Sequence, residues 1–201
     1  MSHVYIFSNS PGEVFSWVKP ITESLAEAVD DVSITIFLTP CQYATGEEQR
    51  VCESFPNVDV VYSPKQTLST TYLKSKEFSP GFVFYLGGNP AYPLRFAKKT
   101  QSKLLAYSER KFADDQFDLV IYQSRMNNLM VSNLVLTPTH EKEGICLLPG
   151  SRPEHLEVAL PFMIDIVSSI HQIPISIMLS PFTSDAVVEH VTSKFPDHTI
   201  V

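Results

Sequence analysis

Short apolar segments alternate with longer amphipathic segments along this chain, and this alternation constrains its fold more than any other feature. The apolar segments are short and continuous, which is typical of strands buried on both faces of a parallel sheet. Between them, apolar residues recur at helical spacing, as in the segment 14–28. Strands that alternate with helices predict a parallel sheet with helices on its faces. The sequence therefore predicts an α/β fold with a Rossmann-like sheet.

The first part of the chain carries most of these segments. Its predicted strands are residues 4–8, 32–38, 58–62, 82–86, 104–107 and 119–122. Helices are predicted over 13–29, where Pro20 should kink the helix or end its first segment, and over 45–55. The segment 66–78 is polar and is open to either assignment. The apolar run 82–86 is suited to a central strand.

The pattern restarts after a polar, turn-rich segment, 137–144, which is typical of a linker. A strand at 145–148, a helix at 153–171, a strand at 175–179, a helix at 184–195 and a strand start at 199–201 are predicted there. We expect a first domain over 1–140, with a last strand at 135–139. A second Rossmann-like domain begins over 145–201, and we expect this chain not to complete it.

Composition excludes several classes of protein. A net charge of −7 argues against generic coating of DNA or RNA, which needs a positive field. No apolar run is long enough to cross a bilayer, and the N-terminus lacks the basic region of a signal peptide. Three cysteines without C-x-x-C spacing and six dispersed histidines favour reduced thiols and no metal site. We expect a cytoplasmic protein.

The loop after the first strand is the first candidate site. In open α/β sheets, ligands bind at the carboxyl ends of the strands. Ser8, Asn9 and Ser10 supply polar groups there, and Gly12 allows close approach to the backbone. Glu13 is a candidate catalytic acid or base. The alternative is a plain tight turn with Glu13 as a favourable acid in the first helical turn.

Two further loops follow predicted strands. Gly87, Gly88 and Asn89 form a turn after the strand at 82–86, and they either bind substrate or only set the backbone angles. Glu109 follows the strand at 104–107, where it is a candidate general base; the alternative is an exposed surface acid.

The turn after the strand at 145–148 is a candidate phosphate site. Pro153 suits the first position of a helix, and Ser151 is a candidate cap. Free N–H groups at a helix N-terminus, together with the guanidinium of Arg152, favour an anion. Gly150, Ser151 and Arg152 are the residues expected to bind a donor phosphate.

Arg95, Lys98, Lys99 and Lys103 form a basic cluster around Phe96. Such a cluster can lie on an anionic membrane surface. The solvated face of a helix is the interpretation that we favour from the sequence.

Several segments together carry a family resemblance. Residues 147–152, Leu-Leu-Pro-Gly-Ser-Arg, resemble the start of the C-terminal domain of lipid-A-disaccharide synthases, which are glycosyltransferases of the two-Rossmann GT-B type. The chain is more similar to a lipid-A-disaccharide-synthase-related group of cyanobacteria and plastid-bearing lineages. The segments that carry this similarity are 8–14, 17–20, 38–48, 86–88 and 128–131.

The resemblance implies transfer of a sugar from a UDP-sugar to a lipid-like or glycan acceptor, with no other cofactor. It places the acceptor pocket in the first domain, at Gly12 and Glu13, and the donor diphosphate beside Arg152. A lipid acceptor would place the protein at a membrane surface.

Two departures from the family pattern favour an alternative function. The synthases carry acids in the turn after the central strand, where this chain has Gly87, Gly88 and Asn89, and Trp17 stands in place of a carboxylate. A catalytically inactive binding or scaffold protein of the same fold is therefore the alternative. A sugar-nucleotide epimerase is a weaker one, because no match to its catalytic acids is found.

Overall fold

The computed structural model describes residues 2–108, 115–122, 144–150, 153–168, 173–196 and 199–200. The chain separates into two compact units, Met1–Thr137 and Pro138–Val201. Each unit contains its own parallel sheet.

The described part of the first unit forms a six-stranded sheet. Its strands are β1 (Ser2–Ser8), β2 (Val32–Leu38), β3 (Val58–Tyr62), β4 (Phe82–Tyr85), β5 (Lys103–Ser108) and β6 (Leu119–Tyr122). They lie in the order β3-β2-β1-β4-β5-β6, and every neighbouring pair is parallel. This is the strand order of a Rossmann fold. The predicted α/β fold with a Rossmann-like parallel sheet is confirmed, and β4 is a central strand as expected.

Helical segments connect these strands. After β1 come α1 (Pro11–Glu13), a π-helical stretch (Val14–Val18) and α2 (Lys19–Ala28), and after β2 comes α3 (Glu48–Glu53). After β3 come α4 (Pro64–Ser69), a second π-helical stretch (Thr70–Lys74) and a 3₁₀ turn (Ser75–Glu77), and after β4 comes α5 (Ala91–Thr100). Because parallel crossovers are right-handed, the helices before β3 lie on one face of the sheet and those after it on the other.

An aromatic cluster lies on the second of these faces, between the sheet and α5. Phe7 and Phe37 stack at 4.7 Å between ring centroids, and Phe96 of α5 lies 5.0 Å from Phe37. Tyr5 contacts the same Phe96 at 5.0 Å. These rings are fully or almost fully buried. Tyr5 and Phe7 alternate with aliphatic residues along β1, so the side of the sheet that carries the aromatic rings is the side that α5 covers.

Pro20 neither ends nor breaks the first helix. The N–H of Lys19 donates to the carbonyl of Val14, five residues back, immediately before Pro20. Since Pro20 has no N–H to donate, the π-helical stretch takes up the irregularity, and α2 continues beyond it.

The ambiguous segment 66–78 is helical. Ser63 and Gln66 form a capping box, in which the Ser63 N–H donates to Gln66 Oε1 at 2.9 Å. The small polar side chains of Thr67, Thr70 and Thr71 are buried. The segment is polar by composition, but its threonine side chains are buried. A search for apolar residues at helical spacing therefore does not detect this helix.

The predicted helix over 45–55 is shorter, and α3 begins at Glu48. The buried Glu48 carboxylate accepts hydrogen bonds from the N–H of Thr45 at 2.6 Å and of Gly46 at 3.0 Å. These hydrogen bonds hold residues 45–47 in a non-helical loop. The helix therefore starts at Glu48, three residues later than predicted.

The second unit repeats the pattern on a smaller scale. Its elements are β7 (Ile145–Leu147), α6 (Pro153–Ser168), β8 (Ile175–Ile177), α7 (Asp185–Lys194) and β9 (Thr199–Ile200), with strand order β7-β8-β9, all parallel. Leu147, Leu160, Ile177 and Val191 are in its core. The predicted strand at 135–139 lies outside the described residues.

Candidate functional site

The candidate site lies where the carboxyl ends of β1 and β4 meet. These two strands are neighbours in the sheet, but the chain leaves β1 toward β2 on one side and leaves β4 toward β5 on the other. The connections therefore diverge and leave a crevice, which is the topological switch point of an open α/β sheet. The loops 9–13 and 86–90, predicted separately from the sequence, border this crevice together.

Ser8 ties the two loops to each other. Its side chain is fully buried, and its hydroxyl donates to the carbonyl of Leu86 at 3.3 Å. The N–H of Leu86 in turn donates to the carbonyl of Phe7 at 2.8 Å. Ser8, a predicted substrate-binding residue, is thus part of the wall that positions the loops.

Ser10 begins the first helix. Its Oγ accepts from the N–H of Glu13 at 3.4 Å, and its carbonyl accepts from the N–H of Val14 at 2.9 Å. This cap turns the chain directly into α1 and leaves Glu13 half-buried in the first turn. Gly12 is exposed beside it, and a Cβ there would meet only Ser10 Oγ, at 3.7 Å. The protein itself therefore does not require a glycine at position 12.

Gly87 and Gly88 need to be glycines. Their φ angles are +127° and +83°, and a Cβ on Gly88 would lie 2.4 Å from Thr39 Oγ1. A Cβ on Gly87 would lie 3.0 Å from Glu13 Cγ and 3.2 Å from Asn9 Oδ1. The turn after β4 thus packs directly against the side chains of the loop after β1, which the glycines allow.

Asn89 has a local role in the same turn. Its Oδ1 accepts from the N–H of Ala91 at 2.9 Å, and its side chain is otherwise exposed. This bond forms an Asx turn that leads into α5.

Asn9 is the polar side chain of the crevice that is best suited to bind a ligand. Its Oδ1 is buried, and no hydrogen-bond partner for it is found among the residues that the structure describes. A buried acceptor without a partner is unfavourable, by about 1–3 kcal/mol. A ligand that donates a hydrogen bond into the crevice would remove this cost.

Tyr85 and Thr39 complete the site and were not identified from the sequence. The Tyr85 hydroxyl donates to the carbonyl of Gly88 at 2.7 Å, and burial, together with the nearby Glu13 carboxylate, raises the pKa of Tyr85. Thr39, the first residue after β2, donates from its hydroxyl to the carbonyl of Ser8 at 3.3 Å. Thr39 directly follows the predicted strand 32–38, and Tyr85 lies next to the end of the predicted strand 82–86; these positions at the carboxyl ends of strands were the available signal.

The arrangement offers a carboxylate, a carboxamide and backbone without side chains at one crevice. Glu13 can accept a proton from a hydroxyl bound there, and Asn9 can orient that hydroxyl. In the described part of the chain, no group of three His, Cys, Asp or Glu side chains comes close enough to hold a metal ion.

The remaining candidate residues are spread over other parts of the chain. Glu109 lies outside the described residues; it follows β5, whose Tyr107 packs edge-on against Trp17 at 5.5 Å between ring centroids. Gly150 follows β7 in the second unit, is exposed and has a φ of +91°. Ser151 and Arg152 lie outside the described residues, and α6 begins at Pro153 as predicted.

An open depression of about 680 Å³ runs along α5, from Ala91 to the start of β5. Lys98, Lys103 and Asp118 line it, and Lys103 and Asp118 pair at 2.8 Å. None of the crevice residues lines it.

Comparison with known proteins gives one distant structural likeness. No family model matches the chain, and no curated protein matches it. The crystal structure of Acinetobacter baumannii MurG is similar at 18% sequence identity and a TM-score of 0.46, over 100% of this chain and 67% of the MurG chain. At this identity and TM-score, the likeness carries no argument about function.

Proposed function

We propose that this protein is a glycosyltransferase-related protein of GT-B architecture, which transfers a sugar from a UDP-sugar to a lipid-like or glycan acceptor. The observation that carries the proposal is the crevice between β1 and β4. There the half-buried Glu13 and the unpartnered Asn9 Oδ1 lie within a few ångströms of the Gly87–Gly88 turn. The resemblance to lipid-A-disaccharide synthases in the segments 8–14 and 147–152 agrees with it.

In the proposed reaction, an acceptor hydroxyl binds in this crevice. Its oxygen attacks the anomeric carbon of the donor sugar as its proton passes to the Glu13 carboxylate. The bond between the anomeric carbon and the diphosphate breaks, and UDP leaves with the electron pair. Asn9 orients the acceptor, and the Gly87–Gly88 backbone lets it approach. Glu109 is a second candidate base.

The donor phosphates are assigned to the turn at Gly150, Ser151 and Arg152. This turn precedes α6, whose N-terminus favours an anion, and Arg152 adds a charge that stabilises the departing diphosphate. UDP-sugar is a substrate here, and no cofactor or metal is proposed.

One observation favours the alternative, a catalytically inactive binding or scaffold protein. The turn at Gly87, Gly88 and Asn89 supplies no carboxylate. The space beside Gly87, where a side chain would stand, is filled by Glu13 and Asn9. A protein that only binds its ligand would retain the crevice and lack the chemistry.

Binding and turnover separate the two functions. UDP and UDP-N-acetylglucosamine are titrated into the 201-residue chain while the amide resonance of Gly150 is followed. UDP release is then measured with lipid and glycan acceptors. The transferase proposal expects Glu13→Gln to lower the turnover number by at least tenfold with unchanged UDP affinity. It expects Arg152→Ala to weaken UDP binding.

The exposed Glu27 in α2 supplies the control. Glu27→Gln removes the same charge away from the crevice and should leave turnover unchanged. Binding of UDP without turnover with any acceptor would favour the inactive alternative. No change in the Gly150 resonance up to millimolar UDP would refute the donor site.

A further inference from the structure

Positive charge is concentrated in one segment of this acidic protein. Residues 63–103 contain seven Lys or Arg and a single acid, Glu77, whereas the whole chain has 15 Lys or Arg and 22 Asp or Glu. The segment comprises α4, the second π-helical stretch, the 3₁₀ turn, β4 and α5. A net charge of −7 for the chain therefore conceals a local excess of positive charge.

The fold brings four of these cations, from the second π-helical stretch, the 3₁₀ turn and α5, to one face. The second π-helical stretch and the 3₁₀ turn pack against α5 on the same side of the sheet. Lys99 Nζ donates to the carbonyl of Tyr72 at 2.7 Å, and the Arg95 guanidinium lies 4.5 Å from the Tyr72 ring centroid. Tyr72 also contacts Tyr92 at the start of α5, edge-on at 6.4 Å.

The cations of this face are crowded. Partial desolvation, Arg95 and Lys76 together lower the pKa of Lys99. Lys74 and Lys76 are exposed beside them. Like charges held this close attract an anionic partner, since binding it relieves their mutual repulsion.

Apolar side chains project from the same face. Leu73 is 80% exposed, and Leu68 and Tyr72 are also exposed. Phe96, which the sequence places among the cations, is fully buried in the aromatic cluster and takes no part. The apolar partners of the basic cluster therefore come from the second π-helical stretch and α4, not from α5.

We propose that this basic–apolar surface (Leu68, Tyr72, Leu73, Lys74, Lys76, Arg95 and Lys99) docks on an anionic lipid bilayer. Leu68, Tyr72 and Leu73 would enter the boundary between headgroups and acyl chains, and the Lys and Arg side chains would pair with lipid phosphates. Charge complementarity selects an anionic surface, and single protruding apolar side chains among lysines suit a fluid boundary.

Docking of this surface on a bilayer is independent of the proposed sugar transfer. Within the described residues, no helix is long and apolar enough to cross a membrane. The docked residues of α5, Arg95 and Lys99, lie in its middle and in its last turn, beyond the turn at Gly87–Pro90 that borders the crevice.

Vesicle flotation tests the proposal without any nucleotide. The 201-residue chain is mixed with vesicles of phosphatidylcholine alone or with a quarter of phosphatidylglycerol. We expect binding to the anionic vesicles, little binding to the neutral ones, and release of the protein at about 0.5 M salt. Lys74→Gln with Lys76→Gln should weaken binding about 25-fold, since each cation near the surface contributes roughly a fivefold effect. Leu73→Glu should weaken it about tenfold.

Matched controls lie elsewhere on the protein. Lys19→Gln with Arg50→Gln removes two charges from helices on the other face of the sheet. Val158→Glu changes a residue that is 75% exposed in the second unit. Both controls should bind like the wild type, and unfolding midpoints confirm that all variants are folded.

If the surface variants and their controls lose vesicle binding to the same extent, the proposal is overturned. Equal binding to neutral and anionic vesicles would also overturn it, because the cations would then contribute nothing. An absence of vesicle binding would overturn it in favour of an acidic protein as the partner of this surface.

Discussion

Replacing Gly88 with alanine should reveal how tightly the two loops of the crevice are packed. Two costs add at this position. A φ of +83° is unfavourable for a residue with a Cβ, by about 1–2 kcal/mol. The new Cβ would also lie 2.4 Å from Thr39 Oγ1, and overpacking of this kind costs about 1–3 kcal/mol. We expect Gly88→Ala to lower the free energy of unfolding by about 2–5 kcal/mol.

Gly46 separates the two costs. Its φ is +94°, and a Cβ there would meet nothing within 4 Å. Gly46→Ala should therefore show the conformational cost alone, about 1–2 kcal/mol. The excess cost of Gly88→Ala over Gly46→Ala measures the steric contact with Thr39.

A double-mutant cycle with Thr39→Ala tests the origin of this excess. Thr39→Ala alone loses the hydrogen bond to the Ser8 carbonyl, at a cost of about 1 kcal/mol. In the double variant the clash is absent, so we expect a favourable coupling energy of about 1–3 kcal/mol. Denaturant unfolding is followed by the fluorescence of Trp17, the single tryptophan, which packs against Tyr107 in the first unit. A coupling energy near zero, with Gly88→Ala no worse than Gly46→Ala, would refute this packing.

Three further outcomes are expected. Gly12→Ala should leave the free energy of unfolding within about 0.5 kcal/mol of wild type, because nothing crowds that position; weaker ligand binding in this variant, measured by titration, would place ligand at the loop. Burial, with Glu48 and Glu53 nearby, raises the pKa of Cys52 from 9.0 to about 12. The thiolate is disfavoured only in the folded state, so the stability advantage of wild type over Cys52→Ala should fall by about 1.4 kcal/mol per pH unit above pH 9; a constant difference would contradict this. The Leu104 N–H and then Lys103 lower the pKa of Asp118, so its contribution should be present at neutral pH and lost as pH falls through that lowered pKa. Thermal unfolding of wild type and Asp118→Asn should therefore differ at pH 7 and converge in acid.

The strands could be predicted from the sequence because continuous apolar runs leave little choice. All nine strands of the described part fall at predicted positions, since each run is too short for a buried helix and is bounded by turn residues. The helical segment from 64 onward was left open because its buried residues, in α4 and in the π-helical stretch after it, are threonines, which apolar periodicity does not register. The capping-box pattern of Ser63 and Gln66 was a readable signal for it.

The candidate site was predicted in part for a different reason. The rule that ligands bind at the carboxyl ends of strands selects the loops after β1 and β4 from the sequence. It does not say which strands are neighbours. The contacts of Gly88 with Thr39, and of Gly87 with Glu13, depend on the strand order, and no local pattern encodes that order.

The parallel pairing of β1 with β4 also has a consequence for synthesis. Ser8 and Leu86, which join the two strands, are 78 residues apart. At roughly 5–20 residues per second, a ribosome needs about 4–16 seconds to add those residues. During that interval Tyr5 and Phe7 have been made, whereas Phe96, against which they pack, has not. The centre of this sheet is the first strand to be synthesised, and the helix that covers it comes late in the chain, so a nascent chain exposes Tyr5 and Phe7 to chaperones before α5 can bury them.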